Sequence, residues 1–383
     1  MNRMKVAIAG YATTHYRGEV EARADELIFH VTRSALEKSK ITREDIDAVV
    51  IATEDANDGI TISNGLLVPA AGAYNRDSVR IETGGVFSVV SACASIMAGQ
   101  AKCVVVSSAD AARFDVISIS NKSYDPFFCR PIGLNYIVSS AMLSAQYMHK
   151  YHATEKDFAL LSAKNYSAAA KNPYAHIQNG YSSEEVLASP IVSWPLHLYD
   201  ICPVSFGAAA LVLVSEEIAR RIHNDPIWIS GYGMGSEPYF ADWDDLVKMP
   251  GLTYAAKSAY KMADIKDTTK EIGAVEVCNL ASPLELLEYE ALGFCEEGAG
   301  KDLLNRGNYS REGNLQVNLS GGALCTNGLN SGGLFRTIYM AMYLKNELPN
   351  LVCESKKVLI SDSDFHLGFP GGYHGVLILE RRT

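Results

Sequence analysis

The sequence predicts an α/β protein built from two similar halves, and three observations predict it. Very apolar runs alternate with helical patterns, as expected of sheets buried on both faces. Ala35-Leu36-Glu37-Lys38-Ser39 with Ile41 to Val50 is echoed by Ala259-Tyr260-Lys261-Met262-Ala263 with Ile265 to Val277. Gly84-Gly85 ahead of one helical run is echoed by Gly332-Gly333 ahead of Leu334 to Leu344. A duplicated unit of this kind places its site where the halves meet.

The elements follow in order. Val6-Ala7-Ile8-Ala9-Gly10 reads as a first strand. Glu19 to Lys38 has helical spacing, with Leu27, Ile28, Val31 and Leu36 on one face. Thr42 with Asp45 three residues on is a capping-box spacing, ahead of the strand Ala48 to Ala52. Ile81-Glu82-Thr83-Gly84-Gly85-Val86-Phe87-Ser88 is a glycine turn between a strand-like approach and the small-residue helix Val89 to Ala98. Val104 to Ser108 is the strand after it. This shape aims a turn at a helix N-terminus, where orphan N–H groups and a partial positive charge meet an anion or carbonyl. From about 111 to 190 the chain changes character, with helices around Ala141 to Tyr151 and Thr154 to Ala170 and a stop at Lys171-Asn172-Pro173. This stretch reads as an inserted cap. Ser205 to Val214 returns as a strand, and the helix Glu216 to Ile222 and the strand Ile227 to Gly231 close the first half. The halves are placed at 1–230 and 231–383.

The chain has 383 residues, 48% hydrophobic and 20% charged, enough for a large core. A net charge of -10 without a long basic run argues against nucleic acid as a partner. The 8 cysteines show no zinc spacing and no disulfide framework, so no metal is expected. The apolar stretch after Lys5 is too short for a signal or membrane span, and a cytoplasmic protein without membrane attachment is expected.

Several further segments carry a family likeness. They are Ala163-Lys164-Asn165 with Lys171 to Ala175, Ala188 to Val192, Pro195-Leu196 through Ser205, and Leu284 to Gly293 with Glu296-Glu297-Gly298. Asn318-Leu319-Ser320-Gly321-Gly322 and Gly371-Gly372-Tyr373-His374-Gly375 complete the series. In order and spacing the chain resembles the thiolase superfamily, in particular SCP2-type, lipid-transfer-protein-like thiolases. The resemblance implies a duplicated, five-layered α-β-α-β-α fold and a coenzyme A thioester as substrate or ligand, with no permanently bound cofactor. It also implies a homodimer, with Cys103 to Ser108 at its interface.

Family chemistry uses a nucleophilic Cys at the turn before the first buried helix, a His in a Gly-His-Pro turn before the second, a second Cys near the last glycine cluster, and an Asn or His segment. This chain departs from each of the first three. The first turn has no Cys, Asn327-Gly328-Leu329-Asn330 stands for Gly-His-Pro, and Phe369 stands at the second Cys position. Asn279 is the candidate for the fourth place. Ala92-Cys93-Ala94-Ser95 imitates the nucleophile motif, but only a few residues separate Cys93 from Gly99. A buried helix of roughly four turns, about 15 residues, would have to follow a nucleophile. Cys93 therefore reads as a packed core thiol.

The remaining candidates each admit two readings. Glu82 is a general base or a turn-capping carboxylate. His374 transfers a proton or is structural, and Tyr373 donates to an enolate or fills space. Asn279 orients a carbonyl or caps a strand. Ser88 has no evident His partner, and Cys325 approaches the pocket or packs in the core. Gly84, Gly85, Ser88, Gly321, Gly322, Gly371 and Gly372 are the expected substrate contacts. Two function classes follow. One is an enzyme making or breaking a C–C bond on acyl-CoA, of aldolase or acyltransferase type, with a small OB-fold/zinc-ribbon (DUF35-like) partner. The other is a non-catalytic subunit scaffolding an active thiolase. Ordinary acetyl-CoA acetyltransferase activity is the third reading.

Overall fold

The structure is a computed structural model and describes residues 5–82, 84–111, 115–222, 225–238, 245–309, 313, 315–349, 351–353, 355–364 and 372–382. Ten strands form its main sheet. In the first half they are β1 (Val6–Thr13), β2 (Ala48–Ala52), β3 (Asp77–Ile81), β4 (Cys103–Asp110) and β5 (Gly207–Ser215). In the second they are β6 (Ile227–Ser236), β7 (Ala274–Glu276), β8 (Gln316–Val317), β9 (Lys357–Asp364) and β10 (Tyr373–Arg381). The helices that matter here are α1 (Ala24–Ser39), α2 (Gly85–Met97), α3 (Tyr136–Tyr151), α4 (Glu155–Ala169), α5 (Pro250–Ala263), α6 (Leu284–Ala291) and α7 (Gly332–Leu344).

The strand order is β8-β7-β9-β10-β6-β1-β5-β4-β2-β3. Read outward from the β1–β6 junction, both halves have the same order: first, fifth, fourth, second, third. The duplication expected from the repeated motifs is thus a topological fact. A long Val- and Ala-rich strand such as β5, buried along all its residues, is what a layer covered on both faces requires.

Three apolar clusters make five layers. α1 packs on the outer face of the first half through Ile28, Val31 and Ala35. α2 and α7 lie between the halves, where Val86, Val90, Leu334 and Ile338 meet strand residues of both. α5 and α6 cover the outer face of the second half, together with α3 and α4 of the inserted cap. The cap leaves the chain in the first half and docks on the second.

Local chemistry explains the boundaries. Thr42 N–H and Oγ1 both donate to Asp45 Oδ2, at 2.9 and 2.8 Å, as the spacing predicts. α1 starts at Ala24 and not at Glu19, because Arg23 is extended and its N–H is held by Glu26 Oε2 at 3.0 Å. α2 begins at Gly85, four residues before the expected start at Val89.

One expectation is overturned. β4, placed at a homodimer interface from sequence, lies between β2 and β5, and all eight of its residues are buried. A strand paired on both sides has no free N–H or C=O row to offer a partner. The edge of the first half is β3, whose Asp77, Ser78 and Val79 are exposed. The division at 230 falls inside β6.

Candidate active site

The duplication brings the N-termini of α2 and α7 together. A Cβ on Gly85 would lie 2.1 Å from Leu334 N, so only glycine lets the two first turns meet. Gly84 adopts φ 96°, a conformation that side chains avoid. Two helix N-termini facing each other concentrate positive potential.

Carboxylates from strand ends answer it. Asp362 at the end of β9 accepts Val86 N–H on Oδ2 at 3.2 Å. Its Oδ1 accepts from Arg336 Nη2 at 2.6 Å. A Cβ on Gly333 would lie 1.9 Å from Asp362 Oδ2, so this carboxylate also presses on the start of α7. Asp110 at the end of β4 accepts Asn330 N–H at 2.8 Å and Ser331 N–H at 3.0 Å, just ahead of α7. Each half thus caps the buried helix of the other.

Arg336 is 1% exposed, and its charge is shared among buried acids. Glu288 accepts from Ser361 Oγ, and Glu276 accepts Ser320 N–H at 2.8 Å. Burial pushes both glutamates up to about 7, against these hydrogen bonds and the pull of Arg336. Asp110 is likewise pushed up to about 6 by burial, opposed by its bonds to Ser331 and Asn330. Burial also raises Asp362, with Arg336 the main opposing influence. Among the described residues Arg336 Nε and Glu288 Oε1 have no hydrogen-bond partner.

A cavity of about 40 Å³ opens beside these groups, walled by Gly84, Gly85, Gly333, Arg336, Asp362 and Ser363. A larger open groove of about 870 Å³ lies nearby, apolar through Phe87, Val90, Met234, Tyr254 and Tyr373, with Glu237 in its wall.

The structure gathers some of the expected residues and separates others. Glu82, Gly84 and Gly85 line the cavity, as does the turn Asn327-Gly328-Leu329. Glu82 is half exposed and ion-paired to Arg80, so it is no desolvated base. Ser88 is fully buried and donates to Gly84 C=O at 3.1 Å, leaving it no role in the cavity. Asn279 sits in a separate buried network, where Nδ2 donates to Glu285 at 2.9 Å and Oδ1 accepts Leu324 N–H at 3.3 Å. Glu285 in turn holds Lys164 and Asn165 of the cap, at 2.5 and 2.6 Å. Gly321 and Gly322 adopt φ 96° and 65° at the start of a short helix under the cap, away from both openings. Gly372 C=O accepts Glu237 N–H at 2.9 Å. Gly371 and Phe369 lie outside the described residues. Tyr373 faces the groove, 44% exposed. His374 is fully buried and reaches neither opening directly.

The thiols follow the same logic. Cys93 is eight residues past Gly85, about 12 Å along α2 at ~1.5 Å per residue. Burial raises it far above the usual thiol range. Cys325 is buried with Tyr166 and Ala169. Cys278 does line the cavity, yet burial raises it too and its Sγ lies 3.8 Å from Ser363 C=O. The expectation that α2 offers free N–H groups to an oxyanion also needs correcting. Val86 N–H already holds Asp362, and an oxyanion there would meet a carboxylate.

Sequence reasoning missed Arg336, Asp362, Ser363 and Glu237. One signal was available: Arg336 is the lone charge in the apolar run Leu334 to Leu344. The others stand at strand ends and show their place only once the strands pair.

Fold and site together give two fused α/β halves, paired helix N-termini at their junction, and a polar cavity there. Residues 234–380 match the thiolase C-terminal domain-like family. The chain is 25% identical to an acetyl-CoA acetyltransferase of Methanothermobacter thermautotrophicus, over 98% of this chain and 99% of that one. It is 28% identical to a steroid side-chain-cleaving aldolase of Thermomonospora curvata, over 83% of this chain and 85% of that one. Among solved structures an Ltp2-ChsH2(DUF35) aldolase superposes with a TM-score of 0.82, at 26% identity, covering 98% of both chains. Along its length the chain is similar in sequence and fold to proteins of the thiolase superfamily. Among the described residues no helix is long and apolar enough to cross a membrane, and no group of three or more His, Cys, Asp or Glu is arranged to hold a metal.

Proposed function

We propose that the chain acts on a coenzyme A thioester and makes or breaks a C–C bond without passing through an acyl-cysteine. The observation that carries this reading is Asp362. The resemblance puts a nucleophilic thiol at the N-terminus of α2, and here that position is occupied by a carboxylate bonded to Val86 N–H. A carboxylate pinned by a helix and an arginine is a poor nucleophile. What such a site still supports is proton transfer at a polarised thioester. In a retro-aldol step a base takes the β-hydroxyl proton, the Cα–Cβ bond breaks, and the enolate is protonated at Cα. The two aldolases similar to this chain support that direction. The Ltp2-ChsH2(DUF35) aldolase is by its name paired with a DUF35 protein, which supports a complex with a small OB-fold/zinc-ribbon partner. A homodimer and a cytoplasmic location remain part of the proposal. Calorimetry of the chain with CoA and several acyl-CoAs tests the ligand: binding is expected, and no heat for any of them rejects the reading. Cleavage of a β-hydroxyacyl-CoA, by the chain alone and with a co-expressed partner, tests the reaction.

A non-catalytic subunit that scaffolds an active acyl-CoA enzyme is the second reading. The cavity supports it: about 40 Å³ is room for a few waters, at ~10–15 Å³ each, and too little for an acyl thioester. A chain that cleaves β-hydroxyacyl-CoA unaided rejects it. Acetyl-CoA acetyltransferase activity, the name of one relative, would need a thiolate that neither Cys93 nor Cys278 supplies.

A further inference from the structure

His374 is buried, but its neighbours form a line. β9 and β10 pair so that Ser363 stands opposite His374. Ser363 Oγ and His374 Nδ1 are 2.8 Å apart. On the far side of the ring, Glu237 Oε1 stands 3.4 Å from Nε2, an ion-pair distance, and Nε2 makes no hydrogen bond among the described residues. Glu237 is itself held: its Oε1 accepts Gly251 N–H at 2.6 Å, in the first turn of α5. A Cβ on Gly251 would lie 2.9 Å from Glu237 Oε1 and 3.0 Å from His374 Cδ2, so glycine is what lets α5 dock on the pair. Ser363 closes the line at the wall of the central cavity.

The polarity of the line follows from electrostatics. A carboxylate facing Nε2 favours the imidazole proton on Nε2. That leaves Nδ1 as an acceptor, so the Ser363 hydroxyl donates to it. A serine hydroxyl at a cavity wall, backed by an acceptor imidazole and then a carboxylate, has the order of an activated oxygen.

We propose that Ser363 is the group that exchanges protons with the substrate, and that His374 and Glu237 act through it. This rests on the C–C reading above for its substrate. In the forward step Ser363 Oγ takes the β-hydroxyl proton of a β-hydroxyacyl thioester while passing its own to His374 Nδ1. The Cα–Cβ bond breaks, and its electron pair forms the thioester enolate and the carbonyl of the leaving fragment. The imidazolium, stabilised by Glu237, returns its proton through Ser363 to Cα. No other reactant is consumed.

Two measurements on the 383-residue chain test this. The first needs no substrate. In ¹⁵N-histidine-labelled protein, His374 is expected as the neutral Nε2–H tautomer, with Nδ1 shifted when Ser363 becomes Ala. A His374 protonated on Nδ1 in its neutral form overturns the relay. The second follows exchange of the acetyl protons of acetyl-CoA in D₂O by NMR. Ser363→Ala is expected to slow exchange on the order of 10²-fold or more, the worth of a positioned general base, with acetyl-CoA affinity unchanged. Ser363→Thr, which keeps a hydroxyl, and Glu237→Asp, which keeps the charge, are expected to retain most of the rate. Wild-type exchange in Ser363→Ala overturns the role of Ser363 alone. A wild-type chain that binds acetyl-CoA yet never exchanges its protons rejects the C–C reading and the relay's task with it.

Discussion

Replacing Arg336 by Met removes the one cation bonded to Asp362 among the described residues while keeping side-chain length. The Arg336–Asp362 contact is 2.6 Å, with side chains 1% and 10% exposed, so solvent does little to screen it. Breaking a buried pair from one side costs about 3–5 kcal/mol, because the stranded charge stays buried. That is a large share of the ~5–15 kcal/mol that holds a typical protein folded. Here the stranded charge is Asp362, and Glu276 and Glu288 also lose a neighbouring positive charge. All three are acids that burial already raises, and without Arg336 they rise further. An acid raised in the folded state contributes stability below its unfolded value and loses it as pH climbs through its folded value. The damage from Arg336→Met is therefore expected to be greatest at pH 8 and to shrink at pH 5, where Glu276 and Glu288 are protonated. Adding Asp362→Asn should recover about 2 kcal/mol or more, since Asn can still accept Val86 N–H and carries no charge. Urea unfolding followed by tryptophan fluorescence at both pH values measures each quantity. Equal losses at pH 5 and pH 8, with no recovery in the double variant, would show that Arg336 merely fills space.

In the unmodified chain, Glu276 and Glu288 at about 7 make stability fall between roughly pH 4.5 and 7, by about 3 kcal/mol for each group. Thermal unfolding against pH checks the slope, and Glu288→Gln should flatten it; a stability that rises over this range contradicts the burial argument. Gly85→Ala is expected to cost about 1–3 kcal/mol or more, because its Cβ would meet the α7 backbone 2.1 Å away. A melting temperature within a degree of the parent would count against the close approach of the two helices. Cys93→Ala should leave any C–C or thioester activity unchanged, because the thiol is buried in mid-helix. Loss of turnover in a folded Cys93→Ala chain would return the nucleophile to α2.

Much of the architecture was legible because it is written in periodic apolar patterns and repeated glycines. β5 reads as a strand from its composition alone, and Gly84-Gly85 with Gly332-Gly333 announced the two buried helices. The mistaken interface came from the same signal. β4 is strongly apolar because neighbours cover both its faces and both its edges, whereas the exposed edge β3 carries Asp77, Ser78 and Arg80 and looks unremarkable. The site was legible only in part. Glu82, Gly84 and Gly85 were found because they are contiguous with the turn. Ser363 and His374 are eleven residues apart and meet only through the β9–β10 register, while Glu237 comes from the far end of β6. Asn279 stood in a plausible position, but its side chain bonds Glu285 while its neighbours Cys278 and Leu280 line the cavity.

Gene duplication leaves this fold with an electrostatic problem that a single half does not have. Two buried helices start at one junction, and their N-termini bring partial positive charges into a dry interior. Some anion must sit there. In the chemistry implied by the resemblance, a thiolate at the first turn is one such anion, and it reacts because nothing else neutralises the helix. Here Asp362 serves α2 and Asp110 serves the start of α7, each from the opposite half. The ionised carboxylates neutralise the junction, and Arg336 balances the excess negative charge. A fixed carboxylate solves the stability problem by removing the reactive one, so the catalysis proposed at this junction has to come from groups outside the two helix caps. Ser363, adjacent to Asp362 in sequence and opposite His374 in the sheet, is where the cavity and a proton acceptor meet.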